Sequence, residues 1–402
     1  MKTVAVLGGG PAGAQCAAQL ATAGYRTLLL DEKLAWEKPC GGGVTYKAYD
    51  RYPYLFDNSS QRKAVATSSI GAEGCRSVTL QLSQPILIYS RRELNQLLLD
   101  RASRAGAQLE QVRATALTPL ANGWQIQTRH GKIEADYAIV ATGARNPLRD
   151  YGTAWSADST MVALGYFIPS QQDHIDIQFL EGLEGYIWVF PRQGHLSAGI
   201  CGRGVSAANL RLRLERYLDE KGINYRQGEL YAHMLPSLSV KHWKNNRIAG
   251  HRWLAVGDSA GFVDPITGEG IYYAVRSGDL AAQVLSSNSF DPAKAAAQYT
   301  SQIEADFGAD LCFGASFATK LYLGRFLFRS IPACIVDYMR RSEKLNQLMQ
   351  DIFSGTQDYL TFRQRLLRSL NGTLNEMLLN LVFTRILPEP PSHATQPFRR
   401  PA

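Results

Sequence analysis

Two glycine-rich segments, far apart in the chain, have the residue types and spacing to hold a dinucleotide. The first, Gly8-Gly9-Gly10-Pro11-Ala12-Gly13, fits G-x-G-x-x-G. Gly8 allows a tight turn, Gly10 lets the backbone approach a pyrophosphate, and Gly13 lets the helix opened by Pro11 and Ala12 pack closely on a strand. The phosphates then face a helix N-terminus with its free N–H groups. Asp31, followed by Glu32 and Lys33, closes the next apolar run. A carboxylate there accepts hydrogen bonds from ribose hydroxyls and repels a 2′-phosphate, which favours FAD or NAD over NADP. The second segment runs from Gly257 and Asp258 to Gly268-Glu269-Gly270-Ile271. An acid at a strand end, followed by small residues, can hold the ribityl chain, although Asp258 could equally be an ordinary helix cap. The later glycines open a helix whose N-terminus can stabilise negative charge on a reduced flavin. Together the two segments specify FAD.

These residues need particular elements to position them. Thr3 to Leu7 reads as a strand, Pro11 to Ala23 as an Ala-rich helix closed by Gly24, and Thr27 to Leu30 as a second strand, which makes a parallel βαβ unit. Ser90 to Ala105 reads as a helix. Val112 to Ala116, Trp124 to Thr128 and Lys132 to Ile133 read as a meander, and Tyr137 to Ala141 as a buried strand. Runs starting at Val162, Ile175, Gly185 and Leu196 alternate like antiparallel strands. Leu210 to Lys221 reads as a helix, Trp253 to Val256 as a strand, and Gly270 to Leu285 as a helix. Nearly everything after Asp291 reads as helical, and the Pro-rich end from Pro388 as loose. The expected fold class is α/β: a Rossmann-type FAD-binding domain (1-160 and 246-300), an antiparallel β-sheet substrate domain (161-245) and a C-terminal helical region (301-402).

Composition narrows the function classes. With 402 residues, 45% of them hydrophobic and 19% charged, the chain is globular and too long for one core. No stretch reaches the roughly 18 uncharged apolar residues that span a bilayer, so a cytoplasmic protein is expected, in contact with a membrane at most peripherally. The six cysteines lack CxxC spacing, which argues against disulfides, zinc and an intrinsic ferredoxin-type cluster; most are expected to be buried. Of the net charge of +8, the segment from Lys320 to Ala402 supplies most, with 12 basic residues against 6 acidic. These mix with Leu, Phe and Tyr, which does not suit nucleic acid. They suit a solvated helical face or a surface resting on anionic lipid.

Both glycine segments resemble the first and last fingerprints of flavoproteins with the aromatic-hydroxylase fold. The resemblance implies that Arg91, in Ser-Arg-Arg-Glu-Leu-Asn, lies against the flavin or its phosphates, with Arg92 as the off-by-one choice. In the middle fingerprint, Thr142 replaces an aspartate and Gly143 follows. In hydroxylases that aspartate supports the nicotinamide response, so the tie to NAD(P)H is loosened. The electron donor stays open between NAD(P)H and ferredoxin, and an electron-donor protein is a candidate partner. Lys38-Pro39-Cys40-Gly41-Gly42-Gly43 and Tyr186-Ile187-Trp188-Val189-Phe190-Pro191 together resemble the geranylgeranyl reductase family, which reduces isolated C=C bonds of prenyl chains. The resemblance spans roughly residues 1 to 350.

Strand alternation sets Tyr186, Trp188 and Phe190 on one face, an apolar wall or an ordinary sheet core. With the family motif beside them, these three and Pro191 are the expected substrate-binding residues. Cys40, Tyr186 and Trp188 are the expected catalytic ones. The resemblance places Cys40 by the flavin, with Gly41 and Gly42 beside it; without the resemblance it reads equally as a small buried hydrophobe. Lys38 could be a surface charge or a cofactor contact. The expected reaction is hydride transfer from FADH2 to a prenyl double bond, of a lipid or a prenyl diphosphate, with the proton from Cys40, a tyrosine or ordered water. The competing reading is a flavin monooxygenase or halogenase of the same fold, whose tunnel lysine could only be Lys63.

Overall fold

The computed structural model describes residues 1–148, 150–287, 291–326, 328–369 and 386–388. The sequence's first strand sits where its apolar run demands, in the middle of a six-stranded sheet. The order is Ala249–Gly250, Trp253–Ala255, Tyr137–Val140, Thr3–Leu7, Arg26–Leu30, Gln108–Glu110, with only the first of these antiparallel to its neighbour. Val4 to Leu7 are fully buried because helices cover both faces of a parallel sheet. Pro11–Thr22 packs on it and contacts both Arg91–Arg104 and Ile271–Ser287. The meander Ala114–Leu120, Gly123–Thr128, Gly131–Ala135 forms a separate three-stranded sheet. It is tied to the main layer by the Trp124 indole N–H, which donates to the Arg252 carbonyl at 2.8 Å.

The second sheet has eight strands. In order they are Glu229–Pro236, Thr160–Ile168, Leu196–Gly202, Tyr186–Pro191, Ile175–Phe179, Arg62–Ala72, Val78–Tyr89 and Gly43–Val44. All neighbours are antiparallel except Ile175–Phe179 and Arg62–Ala72. One face packs on the helix Ala207–Glu220 through Leu164, Ile187, Val189, Ile200, Leu210 and Leu214. The other face, which carries Trp188, meets the C-terminal helices through Phe313, Phe317, Val336 and Leu348.

Three of these strands come from residues 43–89, so the sheet crosses the expected boundary at residue 161. Two strands, Arg62–Ala72 and Glu229–Pro236, carry little apolar alternation, and sequence reasoning missed them. Val78–Tyr89 does alternate, burying Val78, Leu80 and Leu82 between exposed neighbours. The C-terminal region is helical as expected, but with a π-helical turn at Glu304–Gly308 and a short hairpin, Arg325–Phe326 against Arg329–Ser330. All six cysteines are free, but only Cys16 and Cys201 are fully buried, which corrects the expectation for most of them. Pro388 is described; the rest of the Pro-rich end lies outside the described residues. Among the described residues, no helix is long and apolar enough to cross a membrane.

The contact between Gly13 and Gly8 sets how closely helix and strand pack. A Cβ on Gly13 would sit 1.9 Å from the Gly8 carbonyl oxygen, whereas one on Gly24 (φ +85°) would meet open space. Gly13→Ala is therefore expected to destabilise by about 3 kcal/mol, the upper end for an overpacked contact, and Gly24→Ala by about 1 kcal/mol, the cost of a left-handed residue. Chemical denaturation of the two variants measures the difference.

Candidate cofactor and substrate site

The two sheets meet around a cavity of about 840 Å³. Gly8, Gly10, Pro11, Ala12, Asp31, Glu32 and Lys33 line one end of it. Gly13 does not reach the cavity and acts only in packing. A Cβ on Gly10 would meet nothing within 4 Å, so the loop presents bare backbone to open space. Asp31 does more than expected. Its Oδ2 accepts from Gly9 N at 2.7 Å, and its Oδ1 accepts from Lys33 N at 2.8 Å and Leu34 N at 2.7 Å. Three of its roughly four acceptor positions therefore brace the two loops against each other, leaving about one for a ribose hydroxyl. Glu32 stands beside it, paired with Arg113 at 3.4 Å.

Arg91 is buried on the cavity wall. One guanidinium N–H reaches Asn95 Oδ1 at 3.3 Å, and Nε has no hydrogen-bond partner among the described residues. A buried guanidinium with an unused donor is an anion site in need of an anion. Arg145 lines the cavity as well, whereas Arg92 does not. The donor set, the bare glycine backbone and Arg91 fit a pyrophosphate.

Thr142, Gly143, Gly257, Asp258, Gly268, Glu269, Gly270 and Ile271 also line the cavity. The Thr142 hydroxyl donates to Asn146 Oδ1 at 2.6 Å and so organises its own loop. Lys38 Nζ donates to Asp258 Oδ2 at 2.8 Å, a contact joining segments 220 residues apart. Burial pushes the Asp258 carboxyl up, but the Lys38 ammonium outweighs it and holds the group below the usual carboxylate range. His233, unnoticed in the sequence, also lines the cavity; burial and then the Lys38 charge keep its imidazole neutral.

The family motifs meet here. Cys40, Gly41 and Gly42 line the cavity together with Tyr186, Trp188 and Phe190, and the Phe190 ring packs so closely on Gly41 that a Cβ there would sit 2.9 Å from it. The Cys40 carbonyl accepts from Ser197 Oγ at 2.9 Å and from the fully buried Arg192 guanidinium, which also pairs with Glu37. Glu37 in turn accepts from the Arg91 N–H at 2.9 Å. Pro191 does not line the cavity: alternation puts it on the opposite face from Phe190. The Tyr186 hydroxyl donates to the Thr267 carbonyl, fixing the loop before Gly268.

Beyond this point the cavity is apolar, lined by Ile177, Phe179, Leu235, Phe317, Ile335, Met339, Met349 and Phe353. At its junction with the flavin-facing loop sit three carboxyls that the sequence reading did not group. Tyr359 donates to both Asp264 oxygens at 2.8 Å. Glu269 accepts from Tyr272 N at 2.8 Å. Burial, then the Asp264 charge, pushes Glu269 up to about 7, and burial, then Asp358, does the same for Asp310.

A Rossmann sheet with a glycine-rich dinucleotide cradle, set against an antiparallel sheet and C-terminal helices, is a Rossmann-type flavoprotein fold. The comparisons agree. A family model for pyridine nucleotide-disulphide oxidoreductases matches residues 2–154. A menaquinone reductase of Mycobacterium tuberculosis is 29% identical over 323 residues, 71% of this chain and 76% of its own. A geranylgeranyl diphosphate reductase of Synechocystis is 26% identical over 314 residues, 70% of this chain and 74% of its own. A geranylgeranyl bacteriochlorophyll reductase-like protein of Thermoplasma acidophilum has a solved structure that superposes with a TM-score of 0.74 at 23% identity, covering 92% of this chain and all of that one. A flavin-dependent brominase also superposes, with a TM-score of 0.67 at 13% identity, which shows shared fold alone. The chain is thus similar, at 26–29% identity, to reductases named for menaquinone and geranylgeranyl diphosphate, and it shares the fold of the Thermoplasma flavoprotein.

Two outcomes follow from the buried charges. Arg192→Met strands the Glu37 carboxylate, and is expected to cost about 3–5 kcal/mol, the penalty of breaking a buried pair, in denaturant unfolding. Glu269 has an ordinary value of 4.5 and a folded value of about 7. Between these the unfolded chain ionises and the folded chain does not, so stability falls as pH rises through that window and then levels off. In cofactor-free protein, Glu269→Gln should narrow the difference in thermal midpoint between pH 5 and pH 8. Asp310 maintains the remainder.

Proposed function

We propose that this chain is an FAD-dependent reductase of carbon–carbon double bonds in a prenyl chain. The observation that carries the reading is the continuity of one cavity from the Gly8–Ala12 cradle, past Cys40 and Tyr186, into a chamber walled by Phe179, Met339, Met349 and Phe353. Such a chamber suits a methyl-branched apolar chain. The relatives' names span a quinone and a diphosphate, and what these substrates share is the prenyl chain.

When bound, FAD in its reduced form supplies hydride; every other contribution belongs to the protein. Gly8 to Ala12 and Arg91 would hold its pyrophosphate, Asp31 and Glu32 its ribose, and Asp258 its ribityl chain. Gly268 to Ile271, which open the Ile271–Ser287 helix, would offer that helix's N-terminus to the reduced ring system. Trp188 and Phe190 orient the chain and exclude water. An isolated alkene has no carbonyl to polarise, so its second carbon needs a proton from a well-placed weak acid. Cys40 Sγ is one such group. Tyr186 is a poor one, because burial raises it well above its ordinary value and its proton is directed at Thr267. Glu269, protonated up to about pH 7, is better matched.

The monooxygenase or halogenase reading finds less support. Lys63 is absent from the cavity wall and points to the Gln172 carbonyl at 3.4 Å. Of the wall lysines, Lys38 is paired with Asp258, Lys47 with Asp358 and the Tyr272 ring, and Lys33 stacks on Trp36.

Protein loaded with dithionite-reduced FAD is expected to add two hydrogens per double bond to geranylgeranyl lipids, read by mass spectrometry. Lipids left unsaturated across several headgroups would overturn the reading, and oxygen uptake with NADPH in place of reduction would favour the monooxygenase. Arg91→Gln is expected to weaken FAD binding about tenfold, one charge-assisted contact, in fluorescence titration.

A further inference from the structure

The short hairpin of Arg325–Phe326 and Arg329–Ser330 joins the helix Ala309–Leu323 to the helix Ile331–Met339. At its tip Phe328 is 93% exposed, the most exposed aromatic ring among the described residues. Its φ of +68° lies in the left-handed region that side chains avoid. Leu323, at the foot of the hairpin, is exposed as well. The fold thus holds a bulky apolar ring away from every core it could join.

The charge around the tip is specific in sign. From Lys320 to Lys344 there are six basic residues against two acidic ones, Asp337 and Glu343. Arg325 keeps one acid, Glu181 at 3.1 Å, and Arg329 pairs with Asp337 at 2.6 Å, yet the arginine side chains stay 62% and 48% exposed. Arg340 and Arg341 are exposed in the turn that follows the helix Ile331–Met339, and Arg340 lies 4.0 Å from the same Asp337. A single ring flanked by cations is far too small for a stable protein interface, which buries about 800 Å² per partner. It matches an anionic bilayer, where aromatic rings lie at the headgroup level and Arg at the phosphates. The position is informative too: Pro332, Ile335, Val336 and Met339, on the helix that begins directly after the hairpin, line the apolar chamber.

We propose that this hairpin docks the protein on anionic membranes, with Phe328 entering the acyl boundary and Arg325 and Arg329 meeting lipid phosphates, so that the chamber's helical wall lies against the bilayer. Docking itself does not require the proposed reaction; only its use for delivering a prenyl lipid rests on that reading.

Flotation of the FAD-loaded full chain with phosphatidylcholine vesicles, with and without phosphatidylglycerol, tests it. The wild type should float with the anionic vesicles and lose binding at high salt. Phe328→Ser should lower the bound fraction about tenfold with an unchanged thermal midpoint, since the ring is solvent-exposed, and Arg325→Gln with Arg329→Gln should remove the preference for phosphatidylglycerol. In Phe328→Trp, fluorescence should shift to the blue on anionic vesicles. Equal flotation of wild type and Phe328→Ser, no flotation of either, or a concentration-dependent dimer that Phe328→Ser abolishes would each overturn the proposal. Turnover of a detergent-dispersed substrate, measured alongside, separates the two readings: docking can fail while turnover persists, and the reverse.

Discussion

The Arg192 guanidinium holds the two layers of this protein in register. It lies just past the Tyr186–Pro191 strand, is completely buried, and contacts Glu37, the Cys40 carbonyl, the Gly41 carbonyl and the face of Phe167. Glu37 passes the constraint on by accepting the backbone N–H of Arg91, at the start of the Arg91–Arg104 helix. One charge pair therefore fixes the Tyr186–Pro191 strand, the Cys40 loop and the Arg91 helix relative to one another. A buried pair of this kind is poor evidence for net stability, because desolvation offsets much of the attraction. It serves as a geometric pin: only one arrangement of the three segments satisfies it.

A second set of ties acts on the flavin-facing loop. Tyr186, Tyr322 and Tyr359 donate to Thr267, Ile266 and Asp264 in turn. These tyrosines come from the substrate sheet and from two C-terminal helices, so the loop before Gly268 is shaped by elements from both sides of the cavity. The same loop brings Asp264 and Glu269 out of water, and that burial, more than any neighbouring charge, raises both carboxyls above their ordinary values.

The parts of this arrangement legible in the sequence are the local ones. The Gly8–Gly13 spacing, Asp31 at the strand end and the alternation of Tyr186, Trp188 and Phe190 are each complete within a few residues. The same alternation, carried one residue further, would have excluded Pro191. What escaped reading was long-range or weakly patterned. Arg192 and Glu37 are separated by 155 residues, and Lys38 and Asp258 by 220, so nothing in either neighbourhood announces the partner. The strand Arg62–Ala72 is built largely from Lys, Ala, Ser and Thr and becomes a strand only because Val78–Tyr89 and Ile175–Phe179 pair with its two edges. Asp31 stands out in the sequence at its strand end, but its part in bracing two loops depends on Gly9, 22 residues away, and is not announced locally.

The contact between Tyr186 and the Gly268 loop has a mechanical corollary. A Cβ at Gly268 would fall 2.6 Å from the Tyr186 hydroxyl, which itself donates to the Thr267 carbonyl. The strand from the eight-stranded sheet and the glycine loop before the Ile271–Ser287 helix thus move as one body, and a change of side chain in either has to be accommodated by the other, whereas Met339, Met349 and Phe353 line the same cavity from helices outside that pair.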